Sequence, residues 1–453
     1  MSAHGAEYRS AVELLGAFRD RALSPSDLVE HLLGRIATHD RVLGSVVALD
    51  AEAARSAAGH STTRWRRGET RALEGIPVLV KDLIDTEGLT TTYGSRRFRG
   101  HRPVRDAVVV QRLREAGAIV LGKTATHEFA WGVTTESSAH GVTRNPWDPR
   151  RVPGGSSGGS AVALAAGFAP LALGTDTAGS IRIPAALCGV SGLKPTHGSV
   201  PGDGVFPLAR SLDHVGPMAR TVADVRLLDS VLRPGASQPV DQPPRLRIGV
   251  LEPFAGVPLP PGAQRARQQA TRHLEAAGHE VVSVVEPGLE RAPEVLGVIV
   301  AREGLAVHRT AGLYPSARND YLPGVRHRLD LAATRTALEE REARESRRSL
   351  ISDVTALFGD VDAVLSAVVA TGAAYIGHDI DPASEATAEF RRRVMPYPAW
   401  ASLCGVPACA VPAGLDEEGL PIGLQVCAPW GQEDRALQVA ELAAVELPPP
   451  PLR

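Results

Sequence analysis

Residues Gly154–Pro195 read GGSSGGSAVALAAGFAPLALGTDTAGSIRIPAALCGVSGLKP. Two clusters of glycine and serine flank an apolar run of helical character, Ser160 to Gly167, so two serine hydroxyls and several exposed backbone amides can meet at one point. The second cluster, Gly174-Thr175-Asp176-Thr177-Ala178-Gly179-Ser180, consists mostly of small residues before its terminal serine. A substrate carbonyl can therefore approach that backbone closely. Successive amides there suit an oxyanion hole, in which each donor is commonly worth about 3 kcal/mol of transition-state stabilisation. Ser156 and Ser157 sit between paired glycines at the start of the helix, whose N-terminus adds a favourable local field. The layout points to acyl-transfer chemistry.

A serine hydroxyl needs a base to take its proton, and composition suggests which residue that is. Of 49 Lys+Arg residues only three are lysines, Lys81, Lys123 and Lys194. Guanidinium does not give up its proton in a protein, whereas a desolvated ammonium does, so a retained lysine has a reason to be there that arginine cannot meet. Lys81 ends the apolar run Ile76-Pro77-Val78-Leu79-Val80, which reads as a buried strand delivering its side chain to a sheet edge. Lys123, in GAIVLGKT, reads as a post-strand loop residue and Lys194, in GLKPT, as a turn residue; structural roles are expected for both. Asp176 and Arg182 flank the second serine loop, and mutual support is favoured over a grip by Arg182 on a substrate carboxylate.

Other readings of the glycine-serine run fare worse. A flexible linker would not be followed by an apolar helix and a second glycine-rich serine loop. A phosphate-binding loop requires a Gly-Lys-Ser/Thr that is missing. Gly154-Gly155-Ser156-Ser157-Gly158 does match the G-x-S-x-G elbow of a Ser/His/Asp esterase, with His197 or His214 as base, but that elbow needs a strand before it. The preceding stretch, Asn145 to Pro153, contains three prolines and reads as a loop.

The segments LEGIPVLVKDLIDTEG, GGSSGGSA, GTDTAGSIRIPA, GLKPTHGSV and SLDHVGPMAR resemble those of the amidase signature family of serine hydrolases. The resemblance runs from about Leu73 to Val225 and returns at Cys404 to Val426, in CGVPACAVPAG and GLPIGLQV. It implies an α/β fold, an α/β/α sandwich around one large mixed β-sheet, in a single domain over residues 1–453 with a variable substrate side at about 234–396. By the family pattern Ser180 is the nucleophile, Ser156 a bridging serine preceded by a cis peptide, and Lys81 the base. The oxyanion hole is the backbone of Thr177, Ala178, Gly179 and Ser180, with Asp176, Arg182 and Ser157 in support. Ala178 stands where many members have glycine, a tolerable change because only the amide is used. The resemblance implies no metal and no organic cofactor.

The expected activity is hydrolysis of a linear carboxamide through an acyl-enzyme on Ser180, with a small-molecule amide as the partner and a homodimer compatible with it. The alternative is the glutaminase (A) subunit of a tRNA-dependent amidotransferase. That subunit carries a tyrosine-rich helix resembling LSAGYYDAYY near its glutamine site, whereas the corresponding stretch here is LAATRTALEEREARE, so a free-standing enzyme is favoured. A non-catalytic binding protein would have lost a triad member, yet all three are present.

With 453 residues, 43% hydrophobic and 22% charged, the chain has the composition of a soluble globular protein with a large core. Its formal net charge of −2 gives no electrostatic reason for a nucleic-acid partner. Cys188, Cys404, Cys409 and Cys427 lack C-x-x-C spacing and read as reduced core thiols. No run has membrane-spanning length, and MSAHGAEYRSAVELL lacks a basic start followed by an apolar stretch, so a cytoplasmic location is expected.

Along the chain, Ser24-Pro25-Ser26-Asp27 reads as the capped start of a helix through Ile36. A strand at Ile76 to Val80, a helix near Asp106 to Ala116, a strand at Ala118 to Leu121 and a helix near Val222 to Leu232 follow. Their alternation predicts a sheet covered on both faces. RPGASQPVDQPPR reads as a linker, then Leu246 to Leu251 and Glu280 to Val285 as strands around a helix from about Ala263 to Ala277. Arg335 to Arg348 reads as a mixed-charge helix with a solvated face. Glu303, His308, Tyr314 and Tyr321 suit substrate contact and a packing role equally well. The tail Leu447 to Pro451 is expected to be disordered.

Overall fold

The computed structural model describes residues 5–233, 235, 245–286, 288–377 and 384–452. Eleven strands join in one mixed sheet. They are β1 (Val46–Leu49), β2 (Pro77–Lys81), β3 (Ile119–Thr124), β4 (Leu171–Asp176), β5 (Ser191–Lys194), β6 (His214–Ala219), β7 (Arg247–Leu251), β8 (Glu280–Val284), β9 (Ala363–Ala367), β10 (Ala408–Leu415) and β11 (Pro421–Cys427). Their order is β1-β3-β2-β4-β6-β5-β10-β11-β9-β7-β8. β2 runs parallel to β3 and β4, and β7 parallel to β8 and β9, while the centre from β4 to β9 is antiparallel.

This is the α/β sandwich expected. The runs PVLVK in β2 and LALGTD in β4 are buried along their whole length, as strands covered by helices on both sides must be. The Gly158–Ala165 helix packs on β2, β4 and β6, and the Arg182–Cys188 helix on β5, β10 and β11. β2 and β4 are neighbours with Val80 opposite Leu173, which brings Lys81 and the start of the loop carrying Ser180 to the same edge. The fold converges its two serine clusters there.

Several boundaries differ from the sequence expectation for identifiable reasons. The helix capped by Ser24, whose Oγ accepts from the Asp27 amide at 3.1 Å, runs over Pro25–Leu43 and stops only at Gly44, where φ is +61°. Glycine takes that left-handed cap without a Cβ penalty. Lys123 and Lys194 lie on β3 and β5 rather than in a loop and a turn. The tail from Leu447 to Pro450 is not loose: it lines a cavity with Trp147 and Gly189, and Val445 N–H just before it donates to Pro412 O at 2.9 Å. The expected linker at 234–244 falls almost entirely outside the described residues.

The chain beyond residue 245 adds β7 to β11 to the common sheet, on which the Pro261–Ala276 and Glu433–Ala443 helices pack, while the Ala292–Thr310 and Ala337–Asp360 helices pack on each other. Beneath them a second apolar core includes Leu208, Ile299, Val354 and Trp400. Thr336 and Glu339 form a capping box at the start of the second helix. Its Arg344 reaches Glu303 as well as Glu340, so this charged face partly ties two helices together. Cys188, Cys404, Cys409 and Cys427 are free and buried. Among the described residues no helix is long and apolar enough to cross a membrane.

Candidate active site

Lys81, at the end of β2, is fully buried, and its Nζ lies 2.8 Å from Ser156 Oγ, 2.8 Å from Ser157 Oγ and 2.7 Å from Thr175 Oγ1. Among the described residues no carboxylate pairs with it. Burial pushes its pKa well below the ordinary lysine value, against the smaller opposing pull of Asp176 and Asp213. An uncharged amine there can accept a proton from a hydroxyl rather than donate to it.

Ser156 sits in a turn whose Gly155–Ser156 peptide is cis, as the family resemblance implied. The turn leaves no room for side chains at its glycines. A Cβ on Gly155 would stand 2.8 Å from the Thr134 and Thr135 amides, and one on Gly159 would stand 2.4 Å from Ala125 N. Ser157 adds a tether: its N–H donates to Ser180 O at 3.1 Å. Its hydroxyl donates to Thr175 O and accepts from Thr175 N–H. Ser156 and Ser157 are fully buried and Ser180 is 7% exposed, so of these serines Ser180 is the one that reaches the open side.

The loop carrying Ser180 is braced by a buried pair. Arg182 Nε is 3.0 Å from Asp176 Oδ2 and Nη2 is 3.2 Å from Oδ1, while the remaining guanidinium donors meet Gln425 Oε1 at 2.8 Å and Ser402 Oγ at 2.7 Å. With its fork filled in this way, Arg182 is built into the loop rather than turned toward a ligand. Burial alone would raise the Asp176 pKa, but the Arg182 charge and hydrogen bonds hold it well below the usual carboxylate range. Asp176 also accepts from the amides of Gly179 at 2.7 Å and Ile181 at 3.2 Å. This corrects one expectation: the Gly179 N–H is committed to Asp176. Thr177, Ala178 and Ser180 remain as the candidate oxyanion donors.

Neither histidine of the rival elbow reading meets a serine of either cluster. His214 Nδ1 lies 2.9 Å from Asp176 O and its Nε2 3.3 Å from Lys194 Nζ, while His197 Nε2 lies 3.2 Å from Arg210 O. Burial and then the Lys194 charge keep His214 well below its ordinary pKa. Lys194 spends its ammonium on the carbonyls of Pro195 and Val406, and Lys123 on the Ile84 carbonyl and the Thr86 and Thr91 hydroxyls. The structural roles expected for both lysines fit these contacts. Glu303 is taken by Ser211 and Arg344, Tyr314 by Asp330, and His308 pairs with Tyr321 at 2.8 Å.

Sequence reasoning missed Thr175, Gln425, Ser402 and Asp213. Asp213 accepts from Thr177 Oγ1 at 2.7 Å and from the amides of Leu208 and Ala209, and burial raises its pKa to about 6. Thr175 left one signal, a hydroxyl beside Asp176 at the end of the apolar run Leu171 to Leu173. A cavity of about 420 Å³ beside the loop is lined by Thr175, Thr177, His197, Phe206, Asp213 and His214. A larger one, about 510 Å³ between Arg151, Tyr375, Arg393 and Glu418, shares no residue with the triad.

The chain has named relatives. The sequence pattern of the Amidase family matches residues 27–437, and the chain belongs to the amidase signature family. It is 38% identical to the (A) subunit of a glutamyl-tRNA(Gln) amidotransferase from Chloroflexus aurantiacus, over 92% of each chain. A solved structure described as an amidase superimposes with a TM-score of 0.86 at 34% identity, over 96% of this chain and 99% of that one. The (A) subunit of the glutamyl-tRNA(Gln) amidotransferase from Thermotoga maritima superimposes with a TM-score of 0.80 at 30% identity, over 99% and 98%. The chain is thus an enzyme of the class that breaks or transfers at amide C–N bonds.

Proposed function

We propose that Ser180, Ser156 and Lys81 cleave a carboxamide through an acyl-enzyme. Uncharged Lys81 takes a proton from Ser156 as Ser156 takes one from Ser180, and the Ser180 oxygen adds to the amide carbon. The amides of Thr177, Ala178 and Ser180 receive the developing negative charge. The proton then returns through Ser156 to the leaving nitrogen, the C–N bond breaks, and water releases the acid by the same route. The observation that carries this reading is the desolvated Lys81 amine 2.8 Å from Ser156 Oγ.

As to setting, the relatives support the amidotransferase reading better than the free-standing hydrolase that the sequence alone favoured. Identity of 38% over 92% of both chains to an amidotransferase (A) subunit supports glutamine as the amide donor, with ammonia passed to a partner protein and tRNA as the wider system's substrate. The free-standing reading keeps one specific support: Leu331 to Glu345 contains no tyrosine, and its Arg335, Glu339, Glu340 and Arg344 pair with one another and with Arg302 and Glu303. The test is ammonia release from glutamine and from a panel of simple amides, by the chain alone and with candidate partner proteins and charged tRNA. Glutamine turnover that depends on those additions supports the amidotransferase. Rapid turnover of simple amides by the chain alone overturns it in favour of the hydrolase.

A further inference from the structure

We propose that Thr135 is a positioning residue for the catalytic turn, acting as a helix cap supplied from another segment. The Gly158–Ala165 helix begins right after Ser157, its N-cap residue, yet Ser157 makes no side-chain capping bond. Its hydroxyl is occupied by Lys81 and Thr175. A helix that starts this way needs acceptors from elsewhere for its first amides; Gly159 N–H finds Ala125 O at 3.2 Å, which leaves the Gly158 N–H. Thr135 Oγ1 fills the gap: it accepts from Gly158 N–H at 3.1 Å and donates to Gly154 O at 2.8 Å, with Ser156 O at 3.4 Å. One hydroxyl therefore holds both arms of the turn that presents Ser156, and Ser157 is released from capping to bind the base.

The backbone at Thr135 shows what this placement requires. Its φ is +57°, a left-handed conformation that a β-branched residue adopts at a cost and that persists where its surroundings impose it. The close fit is mutual, since a Cβ on Gly158 would stand 2.4 Å from Thr135 Oγ1 and one on Gly155 2.9 Å from the same atom. Gly155 and Gly158 have no room for a side chain where Thr135 lies against them. A second bond from this segment, His127 N–H to Ser156 O at 3.3 Å, fixes the turn from the other side.

The inference rests on the serine-amidase reading, so the experiment separates the two. The rate at which a fluorophosphonate labels Ser180 is measured alongside kcat and KM for Thr135→Val, Thr135→Ser and Thr135→Gly. Val removes the hydroxyl at constant shape. Gly removes it while relieving the positive φ, so it keeps the test open if the Val variant fails to fold. Misplacement of a catalytic group by about 1 Å costs on the order of 100-fold; Val and Gly are expected to lower kcat and the labelling rate by about 10- to 100-fold with KM nearly unchanged. Ser restores both. If the wild-type chain is not labelled at Ser180, the underlying reading fails. If it is labelled and folded Val or Gly variants are labelled equally fast, or Ser fails to restore the rate, the assignment of Thr135 is overturned.

Discussion

Replacing Lys81 with arginine keeps a positive charge at the site and removes the means of losing a proton. An ordinary lysine near pKa 10.4 is already about 100-fold richer in its neutral form at pH 7 than an arginine near 12.5. Burial at 0% exposure pushes Lys81 further down, whereas an arginine keeps its proton in a protein. A positioned general base contributes about 10²- to 10⁴-fold, and because base, bridge and nucleophile act as a unit the loss falls at the upper end, about 10⁴-fold in kcat, or roughly 5.5 kcal/mol. The assay is steady-state ammonia release at pH 7 to 9 on folded Lys81→Arg and Lys81→Met. Lys81→Met keeps a similar volume without the amine and is expected to be equally inactive. Retention of more than roughly a tenth of the wild-type kcat by Lys81→Arg would refute the reasoning, because a tenfold loss is smaller than the least a general base supplies.

Arg182→Met leaves Asp176 buried with its strongest partner gone, and denaturant unfolding is expected to show a loss of about 3–5 kcal/mol. Gly159→Ala forces a methyl to within 2.4 Å of Ala125 N and 2.5 Å of Ala125 O; overpacking against backbone is expected to cost about 1–3 kcal/mol and to lower kcat by shifting the serine turn. Burial lowers Lys194 to about 7 and Lys123 to about 8, below the unfolded lysine value. The unfolded chain then binds more protons above pH about 7, so stability rises with pH, the lysine penalty being complete below the folded values and gone only near pH 10.4. Above about pH 8.5 the buried thiols work the other way, Cys404 and Cys427 being pushed up to about 12. The rise is therefore read between about pH 7 and 8.5, and Lys194→Met should flatten part of it; an unchanged slope in that variant counts against the assignment.

Much of the site was readable because its residue types are constrained locally. Glycines pack the serine turn so tightly that no other residue fits, and a chain with three lysines leaves few candidates for a base. The strand PVLVK announced itself as an apolar run ending in Lys81, whereas LALGTD did not, because Gly174, Thr175 and Asp176 read as the start of a glycine-serine loop. The supporting shell was harder to read because its members come from distant segments. Gln425 and Ser402 reach Arg182 across more than 200 residues, Thr175 looks like an ordinary strand residue, and nothing in the sequence announces the left-handed φ of Thr135. The Gly179 amide illustrates a further limit: the motif names four donors, and only the fold shows that Asp176 has taken one. The relatives shift the weight between the two settings for a related reason. A missing tyrosine-rich helix weighed more in reading the local sequence than in the comparison over the whole chain, where identity to the amidotransferase relative is spread over 92% of its length.

The central claim is that Ser180 is the nucleophile and Ser156 only relays its proton. Reacting the intact chain with a fluorophosphonate and mapping the adduct by peptide mass spectrometry tests it most directly. One adduct on Ser180, lost in Ser180→Ala and greatly slowed in Lys81→Arg, is the predicted result; an adduct on Ser156, persisting in Ser180→Ala, would contradict it.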